Sequence, residues 1–214
     1  GEHLYLVDTG INTTHDEFSG ATVNNLYTAF ESDYTDTAGH GTVMAGLIVG
    51  ANIGTAKNAT LHNVKAMNAN PYTGTIGAMV DALEAILVHH NANTPAQTKV
   101  VVCCWTTGKN ALLDMKFSEL EDNNLIVVCS AGNNANDVDF YSPAGLDAVT
   151  TVGGHNAAGL VGYFSGGTTS GSNLGPEVDV FGMSDDVSII DFSTTDAYTT
   201  SDGTSVATAS IAGL

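Results

Sequence analysis

Three residues of this chain carry acyl-transfer chemistry if the fold brings them together. Asp8 closes the apolar run Leu4-Tyr5-Leu6-Val7. His40 stands between glycines in Gly39-His40-Gly41-Thr42, and Ser205 stands in Gly203-Thr204-Ser205-Val206-Ala207; each opens a helical pattern. A serine hydroxyl is a poor nucleophile until a base takes its proton. Histidine has the proton affinity for that task. A carboxylate fixes the histidine tautomer and stabilises the imidazolium. A fourth piece, Asn133 in Ser130-Ala131-Gly132-Asn133-Asn134, follows an apolar run. Its amide, with the backbone N–H of Ser205, is suited to binding the oxyanion of a tetrahedral intermediate. Taken singly, each piece has an ordinary reading: a turn after a strand, a helix start, a pair of turn asparagines. Their joint presence in one compatible order points to a hydrolase. The remaining histidines (His3, His15, His62, His89, His90 and His155) follow no ligand spacing and are read as structural or surface groups. His89-His90 is expected to end a helix, where a cation is mildly favoured.

The elements that must position these residues are legible from periodicity. Short apolar, β-branched runs at residues 4–7, 23–27, 61–66, 100–104, 125–129 and 148–152 read as strands buried on both faces of a parallel sheet. Between them lie helical patterns at residues 40–50, 75–90 and 111–123. In the second of these, Ile76, Met79, Val80, Leu83, Ile86 and Leu87 recur every three or four residues along one face. The alternation predicts an α/β fold, a doubly wound, mostly parallel sheet with helices on both faces. In such sheets functional groups gather outside the carboxyl ends of the strands, where Asp8 and Asn133 fall. Residues 159–175, rich in Gly, Ser and Thr, read as a surface loop inside the domain.

Composition narrows the partners. Five Lys and Arg against 23 Asp and Glu leave a net charge of −18 over 214 residues. A chain with so few cations has little to offer phosphates or an anionic bilayer, so neither nucleic acid nor membrane is an expected partner. No apolar run reaches transmembrane length, and no signal peptide is visible at Gly1. Hydrophobic residues make up 43%, enough for a sizeable core and too many for disorder. Cys103, Cys104 and Cys129 all lie in strand-like runs and read as buried thiols rather than a disulfide framework. Asn12-Thr13-Thr14 and Asn58-Ala59-Thr60 are glycosylation sequons.

Acid, base, then nucleophile is the chain order of subtilisin-type hydrolases. The motifs resemble the subtilase family, and within it the proteinase K-like branch. The resemblance rests on residues 6–11 with 15–20, on Gly39-His40-Gly41-Thr42 with Ala45-Gly46, on residues 131–134 with Tyr141-Ser142-Pro143-Ala144, and on residues 203–208 with Ala212-Gly213-Leu214. It implies a single catalytic domain over residues 1–214, lacking the family's extreme N- and C-terminal segments. It further implies a serine endopeptidase acting through an acyl-enzyme. Asp8, His40 and Ser205 would be the triad and Asn133 the oxyanion amide. An extended peptide would lie between the edges Tyr72-Thr73-Gly74 and Trp105-Thr106-Thr107, beside Ala131 and Gly132. By the same resemblance Asp179, with the carbonyls of Asp147 and Val149, matches a structural calcium site, since calcium takes hard oxygen ligands. No cofactor is required for the chemistry. A protein or peptide substrate, a propeptide inhibitor and secretion complete the implied picture.

The chain also departs from the family pattern. Val206, Ala209 and Ser210 stand where Met, Pro and His are usual, and Val43 and Met44 follow Thr42. Thr107 puts a side chain where a glycine normally lets substrate lie close. A non-catalytic subtilase-like module that binds peptides or serves as a structural subunit is therefore the second reading. An aspartic protease, suggested by the Asp8-Thr9-Gly10 turn, would need a second such motif or a small homodimer, and the chain has neither.

Overall fold

A computed structural model describes residues 2–68, 74–93, 99–161, 164 and 170–214. Strands β1 (His3–Asp8), β2 (Thr22–Thr28) and β3 (Thr60–Lys65) are interleaved with helix α1 (His40–Val49). Helix α2 (Ile76–Ala92), β4 (Lys99–Cys103), the two-residue β5 (Thr107–Gly108), α3 (Ala111–Asp122) and β6 (Ile126–Ser130) follow. The chain continues through β7 (Tyr141–Ser142), β8 (Thr150–His155), β9 (Val180–Met183), β10 (Val187–Ile190), β11 (Tyr198–Ser201) and α4 (Thr204–Ala212). Seven strands form one sheet in the order β2-β3-β1-β4-β6-β8-β9, every pairing parallel. β10 and β11 form a separate antiparallel hairpin, and β5 pairs with β7.

Alternation along the strands builds two cores. Tyr5 and Val7 of β1 face one side with Leu83, Ile86, Leu113, Phe117 and Leu120 of α2 and α3. Leu4 and Leu6 face the other with Leu47 and Ile48 of α1 and Val206, Ala207 and Ala209 of α4. Helices cover both faces, so the central strands read as continuous apolar runs. β2 is the exception. It lies at the sheet edge and most of its residues are exposed or half-buried.

Two sequence expectations shift here. Residues 148–152 were expected as a strand, yet β8 runs from Thr150 to His155, because Gly153-Gly154 continue the ladder against β9. β9, β10 and β11, of four residues each, have no counterpart among the expected strands. The three thiols are buried and free, as expected. Burial pushes Cys103 and Cys104 well above the usual thiol range and Cys129 to about 12. No described helix is long and apolar enough to cross a membrane.

Candidate active site

The sheet delivers Asp8 at the carboxyl end of β1, where its carboxylate is 1% exposed. That carboxylate accepts the backbone N–H of Thr9 at 2.7 Å. His40 is the first residue of α1, and its Nδ1 lies 2.8 and 2.9 Å from the two Asp8 oxygens. A carboxylate only accepts, so Nδ1 carries the hydrogen and Nε2 is left to act as the base. Burial pulls the His40 pKa down. The Asp8 charge and hydrogen bond, with the charge of Asp36, more than offset this and hold it above the ordinary histidine value. Gly41 makes the approach possible: a Cβ there would sit 2.3 Å from the Gly10 carbonyl oxygen and 3.1 Å from the Asp8 side chain.

Ser205 is the second residue of α4, and its Oγ donates to the Cys104 carbonyl oxygen at 2.7 Å. Asn133 follows the end of β6. Its Oδ1 accepts from the Thr204 backbone N–H at 2.9 Å and from Thr204 Oγ1 at 2.8 Å. The amide oxygen is thereby pinned to the start of α4, which sets the orientation of the Nδ2 donor. Gly203 takes φ +135°, in the left-handed region, and a Cβ there would lie 3.3 Å from Asn133 Nδ2.

His40, Ser205, Asn133, Thr9, Cys104 and Thr204 line a cleft of about 320 Å³. The fold thus brings all four predicted chemical groups to one edge, although Asp8 and Ser205 stand at opposite ends of the chain. Trp105, Thr106 and Gly132 also line the cleft. Trp105, however, is only 8% exposed, donates through Nε1 to the Val7 carbonyl at 2.7 Å and packs near Phe117. Thr107 lies in β5, opposite Ser142. The main chain of Ala131 and Gly132 is engaged within the protein. Ala131 bonds Val152 O and Asn173 Nδ2, and Gly132 bonds Thr204 Oγ1 and the Asn173 N–H. A Cβ at Gly74 would lie 2.7 Å from the Ala66 carbonyl oxygen and 3.0 Å from Met67, which lines the cleft. Tyr72 and Thr73 lie outside the described residues.

The proposed calcium ligands fall together. Asp147, Val149 and Asp179 line a surface depression of about 480 Å³ with Glu121. Asp179 Oδ2 accepts the Thr151 N–H at 2.8 Å. An oxygen-only donor set open to water fits a hard divalent cation. No group of three His, Cys, Asp or Glu among the described residues forms a metal cage, so carbonyls and water would complete the coordination.

Sequence reasoning missed Thr9, Asp36 and Thr204, which hold the four groups in place. The one local signal for Asp36 is an acidic residue shortly before a glycine-opened helix. His89 and His90 do sit in the last turn of α2. Burial, followed by the nearby Lys99 charge, lowers the pKa of both, opposing the cation that a helix end favours.

Fold and site together define an α/β domain that presents a carboxylate, an imidazole and a hydroxyl at the carboxyl edge of a parallel sheet. The chain belongs to the subtilase family, whose profile matches residues 3–214. It is 31% identical over 215 residues to the extracellular serine proteinase of Thermus sp. (strain Rt41A), covering 100% of this chain and 49% of that protein. It is 30% identical to alkaline protease 1 of Aspergillus clavatus, covering 100% and 51%. The chain thus spans about half the length of these curated relatives. Among solved structures it superimposes on a cold adapted subtilisin-like serine proteinase with a TM-score of 0.83 at 28% identity, covering all of this chain and 73% of that one. The prenylagaramide maturation protease PagA shares the fold, with a TM-score of 0.78 at 18% identity over 99% of this chain and 73% of that one.

Proposed function

We propose that this chain carries the catalytic machinery of a secreted serine endopeptidase of the proteinase K-like branch. The observation that carries the reading is the His40 Nδ1 pair of contacts to Asp8, 2.8 and 2.9 Å, inside a cleft that also holds Ser205 and Asn133. Ser205 Oγ attacks the peptide carbonyl carbon as His40 Nε2 takes its proton. Asp8 stabilises the imidazolium. The new oxyanion is met by Asn133 Nδ2 and the Ser205 N–H. The intermediate collapses, the C–N bond breaks, and His40 returns the proton to the departing amine. Water then repeats the sequence on the acyl-enzyme, releasing the acid and restoring Ser205.

The substrate is an extended peptide held by its main chain, and a propeptide of the same chemistry would inhibit by filling the cleft. Asp179, Asp147 and Val149 would hold a calcium ion that braces the β8–β9 end of the sheet and takes no part in the chemistry. The test is labelling with a fluorophosphonate probe and mapping of the modified peptide, with Ser205→Ala and His40→Ala as controls. Labelling at Ser205 that depends on His40 supports the reading. A folded chain that takes up no label overturns it.

The hydrogen bond from Ser205 Oγ to the Cys104 carbonyl and the engaged main chain of Ala131 and Gly132 favour a second reading. On that reading the chain is a peptide-binding or structural module. Unlabelled, folded protein that still binds peptide is its signature.

A further inference from the structure

Asp36 is a second buried carboxylate beside the site, and the chemistry outlined above does not use it. It is 2% exposed. Oδ1 accepts Thr9 Oγ1 at 3.0 Å, the Ala38 N–H at 2.8 Å and the Gly39 N–H at 2.9 Å. Oδ2 accepts the Thr42 N–H at 3.0 Å and Thr42 Oγ1 at 2.8 Å. All five donors are neutral. The cation next in the chain environment, buried Lys65, is spent on Asp33 Oδ2 at 3.0 Å and the Thr35 carbonyl at 2.6 Å. Five donors converge on its two oxygens, so the buried carboxylate finds its hydrogen-bond partners within the protein.

The donors are also the right ones to hold a base. Ala38 and Gly39 lead into His40, and Thr42 closes the first turn of the helix that His40 opens. Thr9 adjoins Asp8, donates to Asp36 and accepts the Gly41 N–H at 2.9 Å. The residues on both sides of the base and the residue after the acid therefore meet at one carboxylate. Gly39, the residue before α1, has no side chain to cap the helix, and Asp36 supplies those acceptors from outside it.

We propose that Asp36 is a positioning residue for His40: it locks the turn that carries the base, ties that turn through Thr9 to Asp8, and sets a second negative charge behind the imidazolium. The proposal rests on the hydrolase reading for its purpose and on geometry for its substance. Asp8 from β1 and Asp36 from the loop before α1 both act on the imidazole through their charge. The other groups around it in the cleft, Thr9, Met67, Cys104 and Ser205, carry no charge. Cys104 stays a thiol because burial, then the Asp8 charge, pushes it well above its usual range.

The test is a proton NMR titration of the His40 ring in the full chain, assigned by the signal lost in His40→Ala, alongside the rate of fluorophosphonate labelling. Asp36→Asn is expected to lower the His40 midpoint, by less than Asp8→Asn does, because its charge acts on the ring behind that of Asp8. Thr9→Val keeps both charges. It is expected to leave the midpoint in place while slowing labelling about tenfold, the cost of a loosened base. An Asp36→Asn protein that titrates like wild type overturns the electrostatic role and leaves a helix cap. Should Asp36→Asn not fold, Thr9→Val decides alone, and a wild-type labelling rate in that variant overturns the positioning role. The titration needs no turnover. A wild-type chain that titrates as expected but takes no label sinks the protease reading and leaves this assignment standing.

Discussion

The two ends of the sheet treat histidine in opposite ways. At the carboxyl end His40 is raised above its ordinary pKa, because Asp8 and Asp36 outweigh the effect of burial. Toward the amino end, roughly 10 Å back from Asp8 along β1 at strand rise, three histidines gather round Tyr5. His3 Nδ1 lies 2.8 Å from His62 Nε2, the Tyr5 hydroxyl lies 3.0 Å from His89 Nδ1, and the His62 and His89 rings are 4.8 Å apart. Lys99, 3% exposed, donates to the carbonyls of His90 and Asn93. Burial, then His89, His3 and Lys99, takes His62 down to about 4. No carboxylate figures among the groups that shift His62, His89 or His90. In a chain with a net charge of −18, two carboxylates act on His40 and none on this histidine cluster. Burial is common to both ends; the partner decides the sign.

Substitutions can break that contrast, beginning with the largest effect. Ser205→Ala should remove probe labelling and cut peptide hydrolysis by about 10⁶-fold, the loss measured in another subtilase. It should leave acid unfolding of the amino end unchanged, which urea titration at low pH checks. Asp8→Asn should make His40 resemble His62, a buried ring without its adjacent acid. The expected result is a hydrolysis rate about 10⁴-fold lower, with the His40 midpoint below the wild-type value by NMR. An unmoved midpoint would show that Asp8 is not what distinguishes the two ends. Asn133→Ala should cost about 10²–10³-fold in kcat, as measured for such a donor in another subtilase. Its pH–rate profile should keep the wild-type acid limb, since the amide touches the oxyanion and not the base.

How far the sequence revealed these two ends follows from which contacts are local. Asp8, His40, Asn133 and Ser205 each sit at a junction where a strand ends or a helix opens, and glycines flank the base and precede the nucleophile, so type and setting agree within a few residues. α2 was legible because its apolar face repeats over several turns. The β10–β11 hairpin was not: Tyr198-Thr199-Thr200-Ser201 is short and polar, and its place is fixed by distant partners. Among them, Tyr198 donates its hydroxyl to buried Glu17. The work of Asp36 was hidden for a related reason, since Thr9 is its neighbour only in space. The helix-end position of His89 and His90 was legible because it is a local property, whereas Lys99, which reaches the His90 carbonyl from the start of β4, was not.

The amino-end cluster makes the last prediction, and its sign is the reverse of that at the active site. His40, raised in the folded chain, contributes stability that is present below its unfolded value of about 6.5 and is lost as pH rises through its folded pKa. His62, depressed to about 4, does the opposite. The unfolded chain binds the proton more readily, so stability is full above about pH 6.5 and falls as pH drops toward His62's folded value. A ring 4% exposed and depressed this far should cost about 3 kcal/mol across that window. His62→Phe keeps a ring to stack on Tyr5 and removes the titration. Urea unfolding at about pH 7.5 and about pH 4.5 should show a large loss of stability in wild type and a loss smaller by about 3 kcal/mol in the variant. Equal losses in both would mean that acid acts elsewhere, on carboxylates such as Glu17, whose pKa is lowered because hydrogen bonds from Tyr198, Asn52 and Ile53 outweigh its burial. The amino end would then be a passive stack of rings, and the contrast between the two ends would hold for their geometry alone.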